Sequence, residues 1–138
     1  MKEVKILVDI DFLVAMKDAR ANIRSLDLAL KELKSDETES LVDPETLKGM
    51  TDYYQALKKY YNKVYKAGMN AIMTMENETE RNILICTYIK SMKHVDARKE
   101  LGLAKETYWV KLRSAKAHFK APVFKSKFPM PPKEEDYL

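Results

Sequence analysis

The sequence predicts an all-α fold: an N-terminal long helical hairpin with coiled-coil-like seams, followed by a helix-turn-helix. Three observations predict it. Only 3 of 138 residues are glycine, and no alternating runs separated by hairpin turns appear. Apolar residues in the first half recur in steps of three and four. In the last third, Gly102 separates two stretches of helical periodicity that are rich in lysine and arginine.

Residues 1–9 are short and β-branched, compatible with a brief strand, a helical turn or a disordered start. From Phe12 two series interleave, Phe12, Ala19, Leu26, Leu33 and Met16, Ile23, Leu30, which is a helix with one narrow apolar seam. The stretch from Ser35 to Ser40 carries no apolar residue, so the helix is expected to stop near Lys34 and a loop to run to about Val42. Asp43 before Pro44 reads as an acidic N-cap followed by proline at the first helical position, where its missing N–H costs nothing. The second seam steps through Leu47, Met50, Tyr54, Leu57, Tyr61, Val64, Gly68, Ala71 and Met75. That is longer than one core stripe requires, and it suggests an antiparallel hairpin or two hairpins meeting in a homodimer. Residues 1–76 are read as this hairpin and as an oligomerisation arm. Tyr53, Tyr54, Tyr60, Tyr61 and Tyr65 are read as packing residues.

Asn77 and Glu80 have the spacing of a capping box, so a third helix starts beside them. Ile83, Leu84, Tyr88 and Met92, widened by Ile85 and Ile89, give it a broad core-facing stripe, with Cys86 a small apolar filler. A short helix is expected from about Val95 to Leu101. Gly102 then takes the left-handed conformation that a sharp turn needs, and a last helix runs from about Lys105 to Lys120. Residues 77–121 are therefore read as a helix-turn-helix domain. Pro122 ends its last helix, and residues 122–138 are read as an extended or disordered tail.

Charge adds a function class to this architecture. Residues 1–92 are close to neutral, whereas residues 93–127 hold 10 basic against 3 acidic side chains. Such a local excess is the footprint of a polyanion-binding surface, here double-stranded DNA. On the last helix Tyr108, Leu112, Ala115 and Phe119 form the inward stripe, and Lys105, Glu106, Trp109, Val110 and Arg113 face the other way. These five are the candidate base readers: Glu106 accepts from cytosine, Arg113 donates to guanine, and Val110 meets a thymine methyl. Trp109 falls outside the inward stripe, as a contact-surface aromatic does. Lys93, Arg98, Lys99, Lys111, Lys116 and Lys120 are the candidate phosphate contacts. His94 and His118 are read as surface or helix-end residues.

Other classes are disfavoured. Cys86 is a single cysteine and there are two histidines, so neither an internal disulfide nor a zinc site is expected. No phosphate-binding glycine loop and no Cys/His pair at catalytic spacing appears, so no enzyme, cofactor or metal is implied. Asp9 and Asp11 interrupt the apolar start, and no run approaches a membrane span, which fits a cytoplasmic protein.

The stretch from Glu78 to Phe119 resembles region 4 of sigma-70-type factors. The resemblance rests on Glu80, Arg81, Ile83 and Leu84 in the first helix, the aromatic Tyr88, the turn Leu101-Gly102-Leu103, and Thr107, Leu112 and Ala115 in the last. The run from Glu100 to Trp109 and the helical front half are most similar to phage late-gene transcriptional regulators of the ArpU type. The resemblance implies a DNA-binding activator of late phage genes, working at a promoter in the host cytoplasm, with host RNA polymerase as a second partner. The alternative it leaves open is a module with a sigma-like fold that binds RNA polymerase or another regulator and has no DNA specificity of its own. Arg98 stands where such motifs usually have a small residue, with Ala97 one step earlier, and Ala104 stands at the usual N-cap. This predicts a first motif helix that is rotated or shortened.

Overall fold

Helix α1, Asp9–Leu33, is followed by a six-residue α2, Asp36–Leu41, and by the 30-residue α3, Pro44–Met73. Three shorter helices complete the set: α4 at Glu78–Leu84, α5 at His94–Leu101 and α6 at Lys105–His118. They come from a computed structural model that describes residues 9–122 and 131–138, and among these there is no strand. The fold is thus all-α, with the long N-terminal helices in place. The readings of residues 1–8 and of 123–130 lie outside the described residues. Within them no helix is long and apolar enough to cross a membrane. Two compact units divide the helices, one of residues 18–64 with 131–138 and one of residues 9–17 with 65–122.

In the first of these units the seams behave as the periodicity predicts. Ala19, Leu33 and Val64 are buried, while Ile23, Leu26, Leu30, Leu47, Met50, Tyr54, Leu57 and Tyr61 are half-buried. Lys58 of α3 pairs with Asp27 of α1 at 2.5 Å, tying the two arms of the hairpin. The expected loop after Lys34 is instead mostly helix. Ser35 acts as its N-cap, its Oγ accepting from the Thr38 N–H at 3.3 Å, and Asp36, Glu37 and Glu39 lie in its first turn where the helix dipole favours acids. Asp43 caps α3 as predicted, its carboxylate accepting from the Thr46 N–H at 3.2 Å. A single turn of tighter helix, Glu134–Asp136, brings Tyr137 to 5.8 Å from the Tyr53 ring.

The second unit holds the main core. Phe12, Leu13, Met16, Ile72, Ile83, Leu84, Tyr108, Ala115 and Phe119 are all at most 1% exposed. Gly68 lies against the Met16 side chain so closely that an added Cβ would meet its sulfur. The third helix is shorter than its stripe suggests. After Leu84 it widens into a π-helical turn, Ile85–Ile89, where the Lys90 N–H reaches back five residues to the Ile85 carbonyl at 2.9 Å. The buried Thr87 hydroxyl donates to the Ile83 carbonyl at 2.8 Å, a back-bond that loosens the regular ladder, and Ser91 then takes a φ of 54°. The chain leaves the helix there rather than at Met92.

Candidate nucleic-acid interface

Two backbone features set the geometry around Gly102. Its φ of 65° and ψ of 32° are left-handed, the Gly102 N–H donates to the Lys99 carbonyl at 3.1 Å, and the Leu103 N–H donates to the Arg98 carbonyl at 3.1 Å. These two bonds close α5 as a Schellman motif and satisfy carbonyls that the helix end would leave open. Ala104 is extended and makes no side-chain cap, so α6 starts on its own backbone bonding, with the Tyr108 N–H donating to the Ala104 carbonyl at 2.8 Å. Ala97 is fully buried in α5 and Arg98 only half-buried. The small residue of the motif is therefore Ala97, five positions before Gly102.

α6 divides cleanly into two faces. Tyr108, Leu112, Ala115 and Phe119 are buried, packed towards α4, while Lys105, Glu106, Trp109, Val110 and Arg113 are exposed. Positions 106, 109, 110 and 113 are three and four apart, so they form one continuous outer face. α6 ends at His118 rather than Lys120, with the Phe119 N–H closing on the Ala115 carbonyl at 3.0 Å. Trp109 is 41% exposed and leans on its neighbours, its ring centroid 4.8 Å from His94 and 5.3 Å from Tyr108.

The basic residues spread around this face. Lys93 precedes α5 and is exposed, Arg98 and Lys99 lie in its last turn, and Lys116 is half-buried on α6, where its charge acts on His94. Lys111 is half-buried and turned towards Glu80, on whose carboxylate its charge acts. Lys120 stands apart from the others, beyond the end of α6, lining a hollow with Asn77, Glu80 and His118. Periodicity alone gave no reason to separate Lys111 and Lys120 from the rest.

Four residues, Glu80, Ser114, His118 and His94, take roles that spacing did not assign. Asn77 caps α4 as expected, accepting from the Glu80 N–H at 2.9 Å. Glu80, however, does not return the bond. Its buried carboxylate accepts from Ser114 Oγ at 2.6 Å and lies 2.8 Å from His118 Nδ1, joining α4 to α6. Burial alone would push this carboxyl up. The hydrogen bonds from Ser114 and His118, with the charges of His118 and Lys111, outweigh burial and hold it below the ordinary 4.5. His94 Nδ1 lies 2.7 Å from the hydroxyl of the buried Tyr108, which joins the start of α5 to the start of α6. Burial, then the charges of Lys116 and Lys17, keep the His94 imidazole below its ordinary 6.5. Cys86 is buried beside Glu100, and burial pushes its thiol up, as suits an apolar filler.

A protein family described as protein of unknown function (DUF1492) matches residues 49–120, which span most of α3 and all of α4 to α6. That is more than half of the chain, and the chain belongs to this family. No curated protein and no solved structure matches it.

Proposed function

We propose that this DUF1492 member is a sequence-specific DNA-binding transcriptional regulator, of phage late genes, that reads the major groove with α6. The observation that carries the reading is the division of α6 behind the Gly102 turn: one face is locked into the core through Tyr108, Leu112, Ala115 and Phe119, and the opposite face is left to solvent with Glu106, Trp109, Val110 and Arg113. A reading helix needs both properties, because base discrimination requires donors and acceptors held by a rigid scaffold. The excess of basic residues around that face supplies the sequence-independent part of the affinity. A single motif of this kind usually needs a second copy for useful affinity, and the half-buried seam residues of the hairpin suit a homodimer contact. Selection of bound fragments from random DNA by the full chain tests the reading. An enriched motif is the expected result, and recovery of unenriched sequence would sink the claim of specificity.

One observation favours a second reading. Val95, Trp109 and Val110 are 53%, 41% and 55% exposed, an apolar set more usual on a protein-binding surface than on a phosphate-facing one. A module that grips RNA polymerase or another regulator accounts for them. Its support would be a polymerase pull-down that survives nuclease treatment and is lost in Val110→Glu.

A further inference from the structure

Beside the Trp109 face lies a small hollow of about 200 Å³, between the α1 residue Lys17, the end of the π-helical turn and the start of α5. Lys17, Thr87, Ser91, Lys93 and His94 contribute to its wall. Thr87 is already committed, its hydroxyl donating to the Ile83 carbonyl. Besides the Tyr88 phenol, the charged or chargeable groups of the wall are two ammonium groups and an imidazole, with no carboxylate among them. Such a concentration of donors suits an anion with several acceptor oxygens.

His94 is held in a defined orientation there. Its Nδ1 is 2.7 Å from the Tyr108 hydroxyl and its ring packs against Trp109, so Nε2 is the nitrogen left for a ligand. Around it stand Tyr108 and Lys116 on α6, Lys17 on α1, and Tyr88 and Lys93 in the same hollow. The charges that reach it, those of Lys116 and Lys17, are both positive. Of the acids on its own helix, Glu100 is paired with Lys90.

We propose that this hollow receives one backbone phosphate of a DNA duplex, held by Lys17, Lys93 and a doubly protonated His94, so that duplex binding takes up a proton. The inference rests on the DNA-binding reading above. In the free protein partial burial, then the charges of Lys116 and Lys17, favour the neutral ring. A phosphate brings negative charge against the same ring and reverses the balance, with Nδ1–H donating to the Tyr108 oxygen and Nε2–H to a phosphate oxygen. A group that gains a proton on binding makes the complex tighter as pH falls, by up to about tenfold for each unit by which binding raises its pKa.

Fluorescence anisotropy of the full chain with a random-sequence duplex of about 30 base pairs, at fixed low salt from about pH 8 to about pH 5.5, tests this. Affinity should rise on acidification in the wild type and in H118Q, whereas H94Q should be flat. K17Q, which leaves the Tyr108 contact alone, should bind more weakly throughout and show a shallower salt dependence. The His94 ring resonances should titrate at higher pH with duplex than without it. Binding whose pH dependence survives in H94Q, or an unmoved His94 titration, overturns the inference and leaves the DNA-binding reading standing. Absence of duplex binding at every pH overturns both. An equal His94 shift from millimolar inorganic phosphate alone assigns the hollow to a free anion and overturns the DNA assignment.

Discussion

The carboxylate of Glu80, 4% exposed in the first turn of α4, lies 2.8 Å from His118 Nδ1 at the last residue of α6. Ser114 Oγ donates to its other oxygen at 2.6 Å, so one buried acid fixes the far end of the proposed reading helix. Glu80→Ala leaves the buried end of this network unmade and should cost about 2–3 kcal/mol of stability. Urea unfolding followed by circular dichroism measures it. A loss below about 0.5 kcal/mol would show that the contact is solvated and adds nothing.

The same carboxylate gives the domain an acid limit. Because its folded-state pKa lies below the ordinary 4.5, its contribution to stability is fully present above that value and is lost as pH falls through the folded-state value. The stability difference between wild type and Glu80→Gln should therefore shrink as pH falls below 4.5. Denaturant midpoints of the two proteins at several pH values give the comparison. A difference that grows on acidification has the wrong sign for this account.

At Gly102 the strain is in the backbone alone. Its φ is 65°, yet an added Cβ there would meet nothing within 4 Å. Gly102→Ala should therefore cost about 1 kcal/mol, and Gly102→Asn less, since asparagine tolerates the left-handed region. Thermal unfolding of the two variants tests the order. If alanine and asparagine cost the same, side-chain tolerance of positive φ is not what decides this position.

What the sequence disclosed and what it concealed divide along the range of the interactions. The inward stripe of α6, Phe12 and Met16 in the first seam and the Asn77 and Asp43 caps follow from spacing within one helix, and spacing is written in the chain. The α2 turn was missed because three acids and no apolar residue look like a loop, although Ser35 ahead of them is an N-cap. The π-helical turn was missed because it arises from a back-bond at Thr87 that leaves the apolar pattern unchanged. Glu80 with His118 and His94 with Tyr108 are 38 and 14 residues apart, and nothing in either local pattern reveals the partner. The capping-box spacing even pointed Glu80 the wrong way, back to Asn77, because the pattern does not register Ser114 on α6, two helices later. The outer face of α6 was legible as exposed, but its ligand is not a property of periodicity.

Close approach of helices gives a further test. An added Cβ at Gly68 would overlap the Met16 side chain, which is fully buried but flexible. Gly68→Ala gains helix propensity of up to about 1 kcal/mol and loses it to repacking of Met16, whereas Gly68→Val should cost about 1–3 kcal/mol. Shortening the partner should rescue the larger variant. In a double-mutant cycle, Met16→Ala with Gly68→Val should be less destabilised than the sum of the two single changes, by at least about 0.5 kcal/mol. Strict additivity would show that the two side chains do not compete for the same space.

The proposed groove contact can be separated into its two parts by mutation. Arg113 is exposed on the outer face, and as a base reader its replacement by alanine should relax preference at one position of the site by about 1–3 kcal/mol. Lys116, on the flank, should instead weaken every sequence alike and lower the slope of log affinity against log salt by about 0.9. Lys120 lies beyond the end of α6 with His118 and Glu80, so its effect should be the smallest of the three if the groove contact is centred on the start of α6. The triple alanine variant of Arg113, Lys116 and Lys120 should lose specificity and part of the salt dependence, the remaining slope coming from the phosphate contacts left in place, with its circular dichroism unchanged because none of the three is buried. Competition titrations against selected and scrambled duplexes at several salt concentrations measure both quantities. A folded triple variant that still prefers its selected duplex would remove α6 as the reading helix and leave the exposed Val95, Trp109 and Val110 to a protein partner.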